Sequence, residues 1–417
     1  MAQGSSVAQL ELQGGIQMAT LLKRGVVLPS IATLVVVFMI GASAWAQSPT
    51  LTITLTGQSM IRSDMRSTAP AAMPTISALL KDTDVVFTNF EATVAEPGQP
   101  NENTPRQGPG FLAPPGAVDS LKALGFNLVS TSNNHSADLK IPGFQNTLKE
   151  FARVGLAQAG IGNTMDEAVA PAILKTPKGT VALVAMASGL IPPGGTATAT
   201  QPGVDELRVG PGNVPNQDDA KRILQSVRDA TRKTDLVIVY QHNHVFDKSF
   251  FTIFQEALPD RLRPADWLKQ WAHAVIDAGA DLIVMHGAPL LHGIEIYHHK
   301  PIFYDLGNFI YNVPPTMWYI GEPIIWESVV ATLEFQGRNV QSIKLRPIAL
   351  NYVGEGQPEI HDRFANNQFL VTRGLPAPAE GEQATYILKR VAELSEPFGT
   401  TVAVKADTAE IVLTGGK

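Results

Sequence analysis

One pattern recurs along this chain and constrains its fold more than any other. A helix-like stretch gives way to a polar break with Asp or Asn, then to an apolar run of strand length, and the run ends abruptly in polar residues. "SALLKDTDVVFTNFE" ends in Asn89 and Glu91, and "SLKALGFNLVSTSNNH" in Asn133, Asn134 and His135. "RDATRKTDLVIVYQHNH" ends in His242 and His244, and "VIDAGADLIVMHG" in His286. The helices before the last two strands show the matching periodicity. Ala220, Ile223, Leu224 and Val227 share one face, as do Trp267, Leu268, Trp271, Ala274 and Val275. Near-continuous apolar strands alternating with such helices predict an α/β fold with layered, buried sheets. In these folds the ligand crevice lies beyond the carboxyl ends of the strands, where this sequence concentrates its unusual polar residues.

Composition narrows the function. The chain has 417 residues, enough for one large domain or two moderate ones. A formal net charge of -6 and the lack of basic blocks argue against nucleic acid as a partner. With no cysteine, thiolate metal sites, thiol nucleophiles and disulfides are excluded, and any metal must be held by oxygen and nitrogen. Near the N-terminus, Lys23 and Arg24 precede an uncharged apolar run ending in Ala44-Trp45-Ala46. Residues 1–46 are therefore read as a signal peptide or an N-terminal anchor, the small-x-small ending favouring cleavage. The folded part is expected to be exported, to the periplasm or the cell surface. Residues 47–350 form the main domain in this reading, and 351–417 a C-terminal appendage with a helix over "GEQATYILKRVAEL" and a strand over "TAEIVLTG".

Four of the nine histidines and one Glu fall at strand ends. His135 follows two amides, an arrangement that suits a metal site in which an amide oxygen ligates and the imidazole ligates or gives up a proton. The bland alternative is a polar turn, for which "SNNHS" is also well composed. Glu91 directly beyond a buried strand is costly unless solvated, paired or bound to a cation. His242 and His244 alternate and so point the same way if the strand continues. His292 is either close to these residues or exposed, and His298 and His299 are read as turn residues.

The order of these motifs resembles the capsule-synthesis CapA family, the poly-gamma-glutamate biosynthesis proteins, within the calcineurin-like metallophosphatase superfamily. The resemblance runs from about Leu51 to Asn312. It rests on "VVFTNFEATVAEPG", "LVSTSNNHSADL", "LAQAGIGNTMDEAVAP", "DLVIVYQHNH" and, most specifically, "GIEIYHHKPIFYDLGNFI". It implies a layered metallophosphatase-like sandwich, two central sheets flanked by helices, holding a divalent metal ion (Mn, Zn or Mg). It further implies Glu91 and Asn134 as metal ligands with His242, His135 as ligand or general acid, Asp138 orienting His135, and Asn89 in support. His244 and His286 are added as candidate metal ligands, and Gln58, Asn89 and Asn133 as substrate-binding residues. The partners implied are an anionic envelope polymer or its precursor and membrane-bound capsule-synthesis proteins. The chain departs from the family pattern at Gln58, where an Asp is usual, and at Gly287 and Pro289, where His-Pro-His is usual. Alternation places His286 on the face opposite to those lost imidazoles. A metal-dependent hydrolase and a non-catalytic module that binds an anionic polymer both remain open at this point.

Overall fold

Alternation along the apolar runs sorts the side chains into separate cores, and these define the layers. The computed structural model describes residues 49–97, 110–247, 263–313, 323–356 and 368–413. The leader read over residues 1–46 lies outside them. Residues Ser48–Lys417 form one compact unit.

The chain opens a first sheet with β1 (Thr50–Met60), β2 (Val85–Phe90), β3 (Leu128–Ser130) and β4 (Ala157–Ala159). It then builds a second sheet from β5 (Ala172–Thr176), β6 (Gly179–Ser188), β7 (Leu236–Asn243), β8 (Leu282–His286), β9 (Ile294–Tyr297) and β10 (Lys300–Phe303). Finally it returns to the first sheet with β11 (Asn308–Tyr311), β12 (Glu327–Gln336), β13 (Asn339–Leu350), β14 (Pro376–Pro378), β15 (Val402–Lys405) and β16 (Thr408–Ile411). The strand order is β15-β16-β13-β12-β1-β2-β3-β4 in the first sheet, with β11 on β1 and β14 on β13, and β9-β10-β8-β7-β6-β5 in the second. Strands β1 to β4 run parallel to one another, as do β6, β7 and β8, so their carboxyl ends share an edge within each sheet.

Ile53, Leu55, Phe87 and Leu128 of the first sheet meet Leu183, Ile238, Tyr240 and Val284 of the second in one apolar core. The sheets therefore pack face to face. Phe87 and Tyr240 touch across the gap, ring centroids 5.5 Å apart. The opposite face of the first sheet carries Val86 and Val129 against α1 (Met73–Leu80), α2 (Pro115–Leu124) and α3 (Lys140–Val154). The opposite face of the second carries Val237, Val239 and Ile283 against α4 (Gln217–Thr231) and α5 (Asp266–Asp277). Helix α4 starts where Asn216 accepts from the backbone of Asp218 and Asp219, two acids that suit the positive end of the helix. The result is the layered α/β arrangement expected from the sequence, two central sheets flanked by helices.

The segment read as an appendage supplies β14, β15 and β16 to the first sheet, and α6 (Gly381–Ser395) packs Ile387, Leu388 and Val391 into the inter-sheet core. Its helix and strand lie where the sequence placed them, inside the main body. Alternation alone could not show this, because a strand's partners are set by distant segments.

Asp281, just before β8, is a charged fastening between the sheets. Its carboxylate takes Lys300 Nζ at 2.7 Å, Arg338 Nη1 at 2.6 Å and the backbone N–H of Val237 at 2.9 Å. Arg338 sits at the β12–β13 turn of the first sheet, so this buried acid joins both sheets. Asp281→Ala strands two cations and an N–H around one hole. It is expected to cost about 3–5 kcal/mol of stability, checked by guanidinium denaturation.

Candidate metal centre

Along the inner face of β2 the side chains run Phe87, Asn89 and then Glu91; along that of β7 they run Ile238, Tyr240 and His242. The apolar core thus passes into polar groups without a change of face. Glu91 is 4% exposed and His242 is fully buried. Glu91 Oε1 lies 3.6 Å from His242 Nε2. The same Nε2 is 2.8 Å from Asn134 Oδ1 and 3.0 Å from His244 Nε2, and His244 Nε2 is 3.2 Å from that Asn134 oxygen. Among the described residues, Glu91, His242 and His244 are the group of at least three His or acidic side chains whose ligand atoms lie within 4.8 Å of one another.

These separations test the donor set. A cation held tetrahedrally at about 2.0–2.1 Å from its ligands places those ligands roughly 3.3 Å apart. The four separations just given are already close to that spacing. His242 is also oriented for the task, because Nδ1 meets the hydroxyl of Tyr240 at 3.1 Å. With the ring proton on Nδ1, Nε2 offers its lone pair to the cluster. Burial, with Glu91 and Asp305 nearby, raises the Tyr240 phenol well above its ordinary pKa and keeps it neutral. The residues present therefore fit a divalent cation.

His135 stands beside this group on the same turn as Asn134. Its Nδ1 is 2.7 Å from Asp138 Oδ2, which also accepts from the backbone N–H of Phe111 at 2.7 Å. The Phe111 ring meets the imidazole edge-on, centroids 4.5 Å apart. Asn133 shapes the turn. Its Oδ1 accepts from the His135 N–H, and its Nδ2 donates to Phe90 O and Asn89 Oδ1. Asn89 and Asn133, the two expected substrate contacts, are fully buried beneath the turn, and Asn89 Nδ2 has no hydrogen-bond partner. Gln58 gives its Nε2 hydrogen to Asn308 Oδ1 at 3.0 Å, while its Oε1 has no hydrogen-bond partner.

His286 is placed differently from both expectations. It is the register partner of His242, and paired residues on neighbouring strands share a face, so it does not point away as alternation against the family pattern suggested. It nevertheless stays outside the ligand cluster. Its ring lies 5.5 Å from that of Tyr240 and lines a small cavity with Asn243, Ala288, His292, Tyr304 and Asp305. Burial lowers its pKa to about 3, so the ring is neutral. Gly287 shows why an imidazole is absent one residue on. Its φ is +139° and a Cβ there would collide with the Asn243 carbonyl.

Sequence reasoning missed two groups. Tyr240 lies two residues before His242, on the same face, and that spacing was a readable signal. Asp305 in "YDLGNF" is buried at a strand end; burial, with Glu91 adding to it, raises its carboxyl well above the usual range, although Oδ1 accepts from the Gly307 N–H. His292 is buried, which the sequence left open. His298 and His299 occupy the tight β9–β10 turn, both with positive φ, as read.

The family model for the bacterial capsule synthesis protein PGA_cap matches residues 52–313. The chain belongs to this family. Similar proteins include the PGA biosynthesis protein CapA of Bacillus subtilis, 29% identical over 47% of this chain and 45% of that one. Capsule biosynthesis protein CapA of Bacillus anthracis is 27% identical over 57% of this chain and 53% of its own length. An uncharacterized protein, y4sH, of Sinorhizobium fredii is 30% identical over 79% of this chain and 86% of that protein. A solved structure described as a novel phosphatase of Mycoplasma pneumoniae overlays with a TM-score of 0.42 at 10% identity, covering 72% of this chain and 94% of that one. Among the described residues of this PGA_cap member, no helix is long and apolar enough to cross a membrane.

Two outcomes follow from the geometry. Tyr240→Phe removes the hydroxyl that orients His242 and is expected to weaken Mn or Zn binding about 10–100-fold with the fold intact, measured by titration calorimetry. For His286 the folded pKa of about 3 lies below the ordinary 6.5, so its contribution to stability is full above pH 6.5 and drains away as pH falls toward 3. Over that window His286→Gln should show a flatter loss of stability than the parent, by up to about 1.4 kcal/mol per pH unit, in urea titrations at stepped pH.

Proposed function

We propose that this chain is an exported capsule- or envelope-polymer biosynthesis protein with a metallophosphatase-like site that acts on an anionic polymer or its precursor. The observation that carries the reading is the meeting of Glu91, Asn134, His242 and His244 at ligand spacing, beside the His135–Asp138 pair. Two imidazole nitrogens in the set suit Zn or Mn better than Mg, which prefers oxygen ligands. A divalent cation in this group supplies Lewis-acid polarisation of a phosphoryl or carbonyl oxygen.

The remaining work falls to the chain itself. Asp138 fixes the His135 ring through Nδ1, which leaves Nε2 free to face a leaving oxygen; in the doubly protonated ring Nε2 gives up its proton there and the ring returns to neutral. Phe111 backs the ring and limits water on that side. Membrane-bound capsule-synthesis proteins are the partners this role requires, and the periplasm or cell surface is its place.

A second reading, a non-catalytic module that holds the same polymer, is favoured by two positions. Gln58 brings no negative charge to the cluster, and Gly287 cannot accept an imidazole. The two readings separate on one variant. With Mn or Zn bound, His135→Ala should lower turnover of a generic phosphodiester about 10²–10⁴-fold while cation affinity is unchanged. Cation binding lost in His242→Ala, with no turnover in the parent protein, selects the binding module. A parent protein that binds neither Mn nor Zn at micromolar concentration sinks the metal site altogether.

A further inference from the structure

Three arginines among the described residues are more than nine-tenths buried: Arg62, Arg373 and Arg390. Arg390 is paired with Glu327. Arg62 feels the Asp138 carboxylate, gives its Nε hydrogen to Asn312 O at 2.9 Å and lies 4.5 Å over the Phe111 ring. Arg373 is different. No carboxylate lies at ion-pair distance from it among the described residues, and its Nε has no hydrogen-bond partner. Its guanidinium rests against Trp326 at 4.6 Å and Phe369 at 5.6 Å. Burial lowers its pKa. Cation–π contact repays only a small part of what it costs to remove an unpaired guanidinium from water. A cation kept in such a place calls for an anion that arrives from outside.

Its position in the fold is informative. Asn312 Nδ2 donates to Arg373 O at 2.6 Å, while Asn312 Oδ1 accepts from the Arg62 N–H. Asn312 directly follows β11, whose first residue, Asn308, accepts from Gln58. The backbone of Arg373 is thus fastened to the end of β11, the strand that pairs with β1. The surroundings also open outward. Tyr352, 62% exposed, sits 6.4 Å from Trp326 and extends the aromatic surface to solvent.

We propose that Arg373 anchors an anion subsite beside the end of β11, receiving a carboxylate of an acidic chain in the fork of its guanidinium, with Trp326 and Phe369 holding the plane in place. This rests on the reading above that the ligand is an anionic polymer, but not on any cation at the Glu91 cluster. The fork suits a bidentate oxyanion, which a lysine ammonium cannot match.

The test uses full-length protein stripped of metal with EDTA, so that it does not depend on the cation site. The probes are a γ-linked glutamate oligomer and, separately, inorganic phosphate. The oligomer is expected to raise the melting temperature of the parent protein. Arg373→Met should bind it at least tenfold more weakly and, without ligand, should melt no lower than the parent, since it buries no charge. Arg373→Lys should fall between the two, and it carries the comparison if the methionine variant does not fold. Equal oligomer affinity in the parent and in the variant overturns the proposal. So does a parent melting temperature indifferent to both probes, which would make Arg373 a structural stacker. A response to phosphate alone overturns the acidic-chain assignment. Cation binding absent with the Arg373 effect intact would instead count against the metal-site reading only.

Discussion

Tyr240 is the side chain on which the rest of the arrangement depends. Its ring presses on Phe87 in the middle of the inter-sheet core, and its hydroxyl reaches Nδ1 of His242. One residue therefore converts the fixed spacing of two packed sheets into the angle of an imidazole. A close-packed interior resists small displacements, so a group hydrogen-bonded to it inherits that rigidity. The cluster needs this support, because Glu91 arrives from one sheet, His242 and His244 from the other, and Asn134 from a turn after β3. No local segment could bring them together.

The same geometry explains what a linear reading could and could not find. The inner-face series Phe87, Asn89, Glu91 and Tyr240, His242 are visible as alternation, and the polar ends of buried strands announce a site before any coordinates. The histidines at 242 and 244 point together as alternation requires. The position of His286 was not legible, since its face depends on which residue it pairs with on β7, and register is a property of two strands. Asp281 and Arg373 were also invisible. Each is an ordinary charged residue in sequence, and only distant partners, or the lack of them, make it unusual. The residues after 350 looked peripheral because their strands are short, yet β16 pairs with β13 inside the first sheet.

The site belongs to a family whose named members serve capsule synthesis, and its departures have physical content. Gln58, where the family resemblance leads one to expect a carboxylate, is a neutral amide whose hydrogen is committed to Asn308. Asp305 adds a carboxyl nearby, and burial raises its pKa well above the usual carboxylate range. Glu91 is the carboxylate at ligand spacing, while the amides of Asn133 and Asn89 bond to one another beneath the turn.

The order in which the chain visits its sheets has a consequence for how the molecule comes into being. Strand β1 pairs with β12, Thr50 opposite Gln336, so the oldest strand waits for a partner made almost three hundred residues later. Until then its edge backbone groups are open and the inter-sheet core lacks a wall. Such non-local closure is slow and leaves adhesive edges exposed on the way. A nascent chain of this protein is thus poorly suited to folding early from its N-terminus, and the last strands to be made decide when the core can close.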